Sequence, residues 1–245
     1  MLKKYREDMV LRTCQCDMNG AWRPGAMMET MQEVAGQHSE LLGVGRNALQ
    51  EKGMAWVLTR LEIEMDRYPV IGERISVETY PTPLKRWFFP RCFILRDGAE
   101  REIGRAATLW VLLDLTARRM ARPDLVAGYL PDNSDLPCPL GLPAPVTEIS
   151  GTIEQQRFPV QYTDLDANHH VNNTRYMDWC CNALGIETLQ QQELAHFSLN
   201  FNTEVLPGQQ VRAELHRMDS AFSYSGFVGD TRAFDIGGTL RERKR

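Results

Sequence analysis

The sequence predicts an α+β protein built as two tandem units, each a long antiparallel sheet wrapped around one central helix. Three observations carry the prediction. A helix followed by several strands occurs twice in the same order, a proline-rich stretch separates the two occurrences, and 245 residues with 43% hydrophobic content suffice for two cores. Each unit would then hold about 100 to 130 residues, enough to bury a core of its own.

The first helix is read over residues 24–42. Pro24 suits a first helical position, and Met27, Met31, Val34, Ala35, His38, Leu41 and Leu42 recur at helical spacing. Gly43 and Gly45 end it. Over residues 54–80 the period changes to strand alternation, with a turn near Tyr68, Pro69 and Gly72. Strands at 86–96 and 102–115 follow, joined at Asp97-Gly98, and the aromatic run Trp87-Phe88-Phe89 is assigned to the core. The stretch 116–150 carries six prolines, Pro123, Pro131, Pro137, Pro139, Pro143 and Pro145, and cannot form a central strand.

After it the order returns: a strand at 156–160, a polar loop at 164–172, a helix at 173–184, and strands at 197–204 and 211–218. Smaller echoes agree, Tyr68-Pro69 before Gly72 with Leu206-Pro207-Gly208, and Ile103-Gly104 with Ile236-Gly237. The units are drawn as residues 1–130 and 151–245 with a linker at 131–150. A sheet around a central helix, twice in one chain, is a tandem (double) hot-dog fold, and pairing two such sheets protects strand edges.

Composition narrows the function. With 28 basic against 32 acidic residues, the net charge of −4 supplies no global positive field for nucleic acid or an anionic membrane. No segment reaches the roughly 18 apolar residues of a membrane span. Cys14, Cys16, Cys92, Cys138, Cys180 and Cys181 match neither a redox C-x-x-C nor a zinc pair, and no secretory signal precedes them, so a reducing, cytoplasmic setting is expected.

The densest polar stretch is Asp164-Leu165-Asp166-Ala167-Asn168-His169-His170-Val171-Asn172-Asn173, set directly before an amphipathic helix with Tyr176, Trp179, Cys180, Ala183 and Leu184 on its buried face. Asn172 is the expected N-cap. Backbone N–H groups at the helix start suit a developing oxyanion. Histidine and asparagine orient a carbonyl or a water, and a carboxylate takes a proton or attacks. Asp166, Asn168 and His170 share one parity of an extended loop, with Asp164 and His169 as neighbours. Glu204, by spacing alone, is an ordinary surface carboxylate.

Residues 164–173 closely resemble the D-L-D-x-N-x-H-V-N-N signature of the acyl-acyl carrier protein thioesterase family of plants and bacteria. The likeness extends through Met27 to Gly43, Trp56-Val57-Leu58-Thr59-Arg60, Asp66-Arg67-Tyr68-Pro69 and Ala106-Ala107-Thr108-Leu109-Trp110-Val111. The resemblance implies a double hot-dog thioester hydrolase that frees a fatty acid from acyl carrier protein and so ends fatty acid synthesis, without metal or organic cofactor. It implies Asp166, Asn168, His170 and Glu204 as catalytic residues. Val205 stands where the family has a cysteine, which argues against a cysteine nucleophile. It also implies a catalytic second unit and a first unit, lacking the signature, that holds the acyl chain with Met27, Met31 and Trp110 as lining residues.

The resemblance is to a form without the plastid-targeting extension of the plant enzymes, so a bacterial cytosolic form is expected. Arg118, Arg119, Arg175 and the tail at 241–245 are candidate contacts for an acidic carrier protein. A monomer with an internal pseudo-dimer and a homodimer both remain open. An acyl-coenzyme A thioesterase and a non-catalytic acyl-binding protein on the same fold are the alternatives.

Overall fold

The computed structural model describes residues 1–243. Two compact units emerge: Met1–Trp22 with Met27–Pro143, and Arg23–Ala26 with residues 144–243. The proline-rich segment is divided between them. Its first part packs on the first unit, where Asn133 Nδ2 donates to the Pro81 carbonyl at 2.8 Å and Tyr80 Oη donates to the Pro137 carbonyl at 3.0 Å.

The first unit contains β1 (Tyr5–Val10), α1 (Pro24–Leu41), α2 (Arg46–Gln50), β2 (Met54–Met65), β3 (Arg74–Pro81), β4 (Phe89–Asp97), β5 (Glu102–Asp114), β6 (Arg119–Met120) and α3 (Asp124–Ala127). The second contains β7 (Thr152–Pro159), α4 (Arg175–Leu184), α5 (Ile186–Gln191), β8 (Gln192–Phe201), β9 (Gln210–Met218), β10 (Ala221–Val228) and β11 (Thr231–Glu242). In the first unit the antiparallel order is β1-β3-β4-β5-β2, with β6 also on β5, and in the second it is β7-β9-β10-β11-β8. These orders correspond strand for strand: β1 to β7, β2 to β8, β3 to β9, β4 to β10 and β5 to β11. Each unit is a hot-dog, and the chain is a tandem duplication of it.

Helix α1 ends where Gly43 takes φ +75°, its N–H donating to the Glu40 carbonyl at 2.9 Å. Its buried face carries Met27, Met28, Met31, Val34, Ala35 and His38. Beyond it, Leu42, Val44, Leu49, Met54, Phe89, Leu112 and Val126 form one apolar cluster, with Trp56 and Trp110 against its edge. Of the expected core run only Phe89 is buried, and Trp87 is 43% exposed. The reason is local: Lys85 and Phe88 exchange backbone hydrogen bonds of 2.9 and 3.0 Å, so a tight turn occupies the run and β4 starts at Phe89.

The second core is aromatic. On α4, Tyr176 stacks on Phe234 of β11 at 4.4 Å between centroids, and Trp179 meets Phe158 of β7 edge-on at 4.9 Å. Phe234 also lies over Gly226, its partner across the ladder on β10, where any side chain would collide with the ring. Phe234→Ala therefore opens a cavity that no neighbouring side chain fills. Chemical denaturation is expected to register a loss of about 3 to 5 kcal/mol, and a loss below about 1 kcal/mol would mean that the helix collapses onto the sheet. Among the described residues, no helix is long and apolar enough to cross a membrane.

Candidate active site

The signature loop is a turn, not an extended strand. Gln161 opens a 3₁₀ turn over Tyr162–Asp164, and Asp164 Oδ2 accepts the Gln161 N–H at 2.8 Å while its carbonyl accepts the Asn172 N–H at 2.8 Å. Asp164 thus closes the loop from inside, which explains its burial. Next, Asp166 Oδ1 accepts the Asn168 N–H at 2.8 Å and Asp166 Oδ2 faces Asn168 Nδ2 at 3.3 Å. The Asp166 N–H reaches the His170 carbonyl at 3.0 Å, and His169 sits at φ +62° to make the reversal. Because the chain reverses here, alternate residues do not share a face as they would in an extended loop. Asp166, Asn168 and His170 are brought together by this Asp-anchored turn instead.

His170 is oriented by one hydrogen bond, with a carboxylate oxygen beyond hydrogen-bond reach on the same side. Its Nδ1 lies 3.3 Å from the Val171 carbonyl and 3.7 Å from Asp166 Oδ1. Both favour hydrogen on Nδ1, which leaves Nε2 as an acceptor in the neutral ring.

Glu204 is not at the end of a strand, as the spacing predicts, but in the turn after β8. Asn202 and Thr203 both donate to the Ala233 carbonyl, at 2.9 and 3.1 Å, which ends the ladder and swings the chain towards the loop. There the Val171 N–H donates to the Val205 carbonyl at 2.8 Å. This one bond ties the glutamate's neighbour to the histidine's neighbour. Behind the turn, burial raises the Tyr176 phenol on α4 above the ordinary value, the Val205 N–H opposes that, and the Glu204 and Asp166 carboxylates add to it.

The helix start differs from the expectation. Thr174, not Asn172, is the last residue before α4, and Asn172 acts from two positions earlier, its Oδ1 accepting the Thr174 N–H and hydroxyl, each at 3.0 Å. The Arg175 N–H goes to the Asn172 carbonyl at 2.9 Å and the Met177 N–H to the Thr174 carbonyl at 3.1 Å. These donors are already spent within the turn.

Family models for the acyl-ACP thioesterase N-terminal and C-terminal domains match residues 2–129 and 148–229. The chain belongs to the acyl-ACP thioesterase family. An Arabidopsis thaliana family member, oleoyl-acyl carrier protein thioesterase 1, is 26% identical over 255 residues, covering 96% of this chain and 68% of that protein. The Coriandrum sativum oleoyl-acyl carrier protein thioesterase is 27% identical over 220 residues, and the alignment spans 82% of this chain and 59% of that relative, about three fifths of its length. Among solved structures, an acyl-ACP thioesterase from Bacteroides thetaiotaomicron superposes with a TM-score of 0.88 at 25% identity, covering 97% of this chain and 98% of that one.

Within this acyl-ACP thioesterase fold, the first unit keeps a copy of the signature turn that the sequence reading missed. At a constant separation of 149 positions, Asp17 stands for Asp166, Asn19 for Asn168, Gly20 for His169, Ala21 for His170 and Trp22 for Val171. The bonds match one for one: Asn19 N–H to Asp17 Oδ1 at 2.9 Å, Asp17 N–H to the Ala21 carbonyl at 2.8 Å, Gly20 N–H to the Asp17 carbonyl at 3.0 Å, and Trp22 N–H to the Pro69 carbonyl at 2.9 Å. Gln15 caps the Arg12 N–H as Asp164 caps Gln161. Since Pro69 takes the place of Val205, Tyr68 takes that of Glu204. The copy retains the aspartate and asparagine and has neither the histidine nor the glutamate.

The expected lining residues all fall in the first unit. Met27 and Met31 are buried on α1, and Trp110 is half-buried with its indole N–H on Thr108 Oγ1 at 2.9 Å. Of the basic candidates, Arg175 pairs with Asp178 at 2.7 Å and Arg241 with Glu193 at 2.7 Å, Arg243 donates to the Leu189 carbonyl at 3.0 Å, and Arg118 and Arg119 are exposed. Lys244 and Arg245 lie outside the described residues. On β9, His216 Nε2 lies 3.8 Å from Glu148 Oε1.

Proposed function

We propose that this protein hydrolyses the thioester of fatty acyl-acyl carrier protein, releasing the free fatty acid and ending synthesis on the carrier. The observation that supports the reading is the Val171–Val205 backbone hydrogen bond, which joins the segment carrying Glu204 to the turn carrying Asp166 and His170. Both Asp166 oxygens are engaged by Asn168, so Asp166 is a holding group that keeps the turn closed and the imidazole in its tautomer. Glu204, exposed and after the strand, is the carboxylate left to take a proton.

The steps follow from these roles. Water is held by His170 Nε2, Glu204 takes its proton, and the water oxygen bonds to the thioester carbon while Asn168 Nδ2 donates to the charging carbonyl oxygen. Collapse breaks the carbon–sulfur bond, and Glu204 returns the proton to the departing pantetheine sulfur. The acyl chain is assigned to the first unit, where Met27 and Met31 are unbranched and adaptable and Trp110 adds apolar surface. Arg118 and Arg119 are exposed cations suited to an acidic carrier. Six unbridged cysteines suit a reducing compartment, and we place the reaction in the cytosol.

The test is a rate comparison over acyl chains of graded length, each on carrier protein and on coenzyme A. Higher kcat/KM on the carrier is expected, and Glu204→Gln should lower kcat by about a hundredfold to ten-thousandfold. Equal or faster turnover on coenzyme A thioesters would move the activity to that carrier, and tight binding without turnover on either would make the protein an acyl binder.

A further inference from the structure

We propose that Cys92 and Cys138 form a modification site, a dithiol that a hydroperoxide converts to an intramolecular disulfide, clamping the proline-rich segment to the first unit's sheet. This inference is independent of the hydrolytic reading, because neither thiol belongs to the signature turn or to the Glu204 turn.

The two sulfurs lie 3.1 Å apart although the residues are separated by 46 positions. A covalent S–S bond is about 2.05 Å long, so closure asks for a movement of roughly 1 Å. Cys92 is fixed on β4, between Tyr80 of β3 and Ala107 of β5, and is fully buried. Cys138 arrives from outside the sheet, where it and Leu136 cover the patch formed by Tyr80, Cys92 and Ile94.

Anchors on both sides deliver it. On the N-terminal side, Asn133 Nδ2 donates to the Lys3 and Pro81 carbonyls at 2.9 and 2.8 Å, and the Pro137 carbonyl accepts the Tyr80 hydroxyl at 3.0 Å. On the other, the Gly141 N–H returns to the Cys138 carbonyl at 3.0 Å. Pro137 and Pro139 flank the thiol and restrict its backbone further. Held this way, Cys138 Sγ faces two groups, Cys92 Sγ and the Gly141 carbonyl, to which its S–H donates at 3.0 Å.

The pair is also chemically unequal. Cys138 is partly exposed, so an oxidant reaches it and not Cys92. The Cys92 thiol donates to it and draws it below the ordinary thiol range, against its own burial, and the Lys85 ammonium acts in the same direction. Cys92 is pushed up by that same contact and by burial, so it remains a thiol and serves as the resolving partner. By contrast, Cys180 is fully buried and raised by its surroundings.

The reaction balances. The Cys138 thiolate attacks the peroxide and breaks its O–O bond, giving a sulfenic acid and, after protonation, an alcohol, or water where the oxidant is hydrogen peroxide. Cys92 Sγ then attacks Cys138 Sγ, and the sulfenic oxygen departs as water with the Cys92 proton. Two thiols and one hydroperoxide become one disulfide, one alcohol and one water. The disulfide closes a long loop of the first unit.

The experiment treats the full chain with stoichiometric hydrogen peroxide, alkylates the remaining thiols and maps the peptides by mass spectrometry, with thermal melts before and after reduction by dithiothreitol. Expected are a Cys92–Cys138 linked peptide lighter by two hydrogens, and a Tm raised by several degrees that reverts on reduction. In Cys138→Ser, which leaves the sheet intact, peroxide should leave Cys92 alkylatable and Tm unchanged. The proposal is overturned if both thiols stay alkylatable in the wild type, if the bridge joins any other pair, or if Cys92 is oxidised equally in Cys138→Ser.

Discussion

Asp166→Asn and His170→Ala should each lower hydrolysis of acyl carrier substrates by about a thousandfold in kcat, whereas Asp17→Asn should change it by less than about twofold. The contrast is informative because the two aspartates are in the same local structure. Each accepts the N–H two residues on, at 2.8 Å for Asp166 and 2.9 Å for Asp17, and each closes its turn with a backbone bond to the residue four on. Asparagine keeps an oxygen for that bond, removes the charge and, in both turns alike, puts an NH2 where the second oxygen faced the amide two residues on. Both substitutions should therefore cost similar stability, about 1 kcal/mol or less by denaturant titration.

Only the second turn has a histidine 3.7 Å from its carboxylate and a glutamate tied in behind it. Activity should follow those groups and not the turn. Equal losses of activity from Asp17→Asn and Asp166→Asn would mean that the turns serve folding alone, and the assignment of Asp166 would fall with them.

Duplication was legible in the sequence at the level of element order, because Met27-x-x-x-Met31-x-x-Val34 and Tyr176-x-x-Trp179-Cys180 carry the helical period plainly. The strands β10 and β11 were not. In Ala221-Phe222-Ser223-Tyr224-Ser225-Gly226 the serines that should mark an exposed face are buried, with Ser225 Oγ donating to Asp235 Oδ1 at 2.9 Å. Paired polar groups inside a sheet defeat a reading by alternation. The short echo was likewise out of register: the sequence sets Pro69 against Pro207, and the backbone sets it against Val205 through the matching Trp22 and Val171 bonds.

For the site, Asp166, Asn168 and His170 were legible because the chemistry is packed into one loop. The first-unit copy was not, since aspartate and asparagine are its only identities in the turn and both are ordinary turn residues. What maintains it is backbone geometry, which Gly20 at φ +73° and His169 at φ +62° satisfy with different side chains.

Acid should destabilise the protein through His38, well before ordinary carboxylates are titrated. This residue has no exposed surface. Its Nδ1 accepts from Arg91 Nη1 at 3.1 Å and its Nε2–H donates to the Leu2 carbonyl at 3.1 Å, so the neutral ring uses both nitrogens. A proton on Nδ1 would face the guanidinium directly. Arg91, itself held down to about 10 by burial, has neutral contacts in His38, Thr79 and Ser39, at 3.1, 3.3 and 3.4 Å. Burial first and Arg91 second bring His38 from 6.5 to about 4, with the Leu2 carbonyl opposing them.

The sign follows from proton uptake. Between about pH 6.5 and pH 4 the unfolded chain binds a proton that the folded protein refuses, so stability is full above that window and falls as pH falls through it. The slope is at most about 1.4 kcal/mol per pH unit and the whole loss about 3 kcal/mol. Denaturant midpoints taken in steps from pH 7 to pH 4 measure it, with His38→Gln run alongside to remove the titrating group while keeping a polar side chain. If the variant falls as steeply as the wild type over that window, the slope belongs to carboxylates, and the buried Arg91–His38 pair has no part in it.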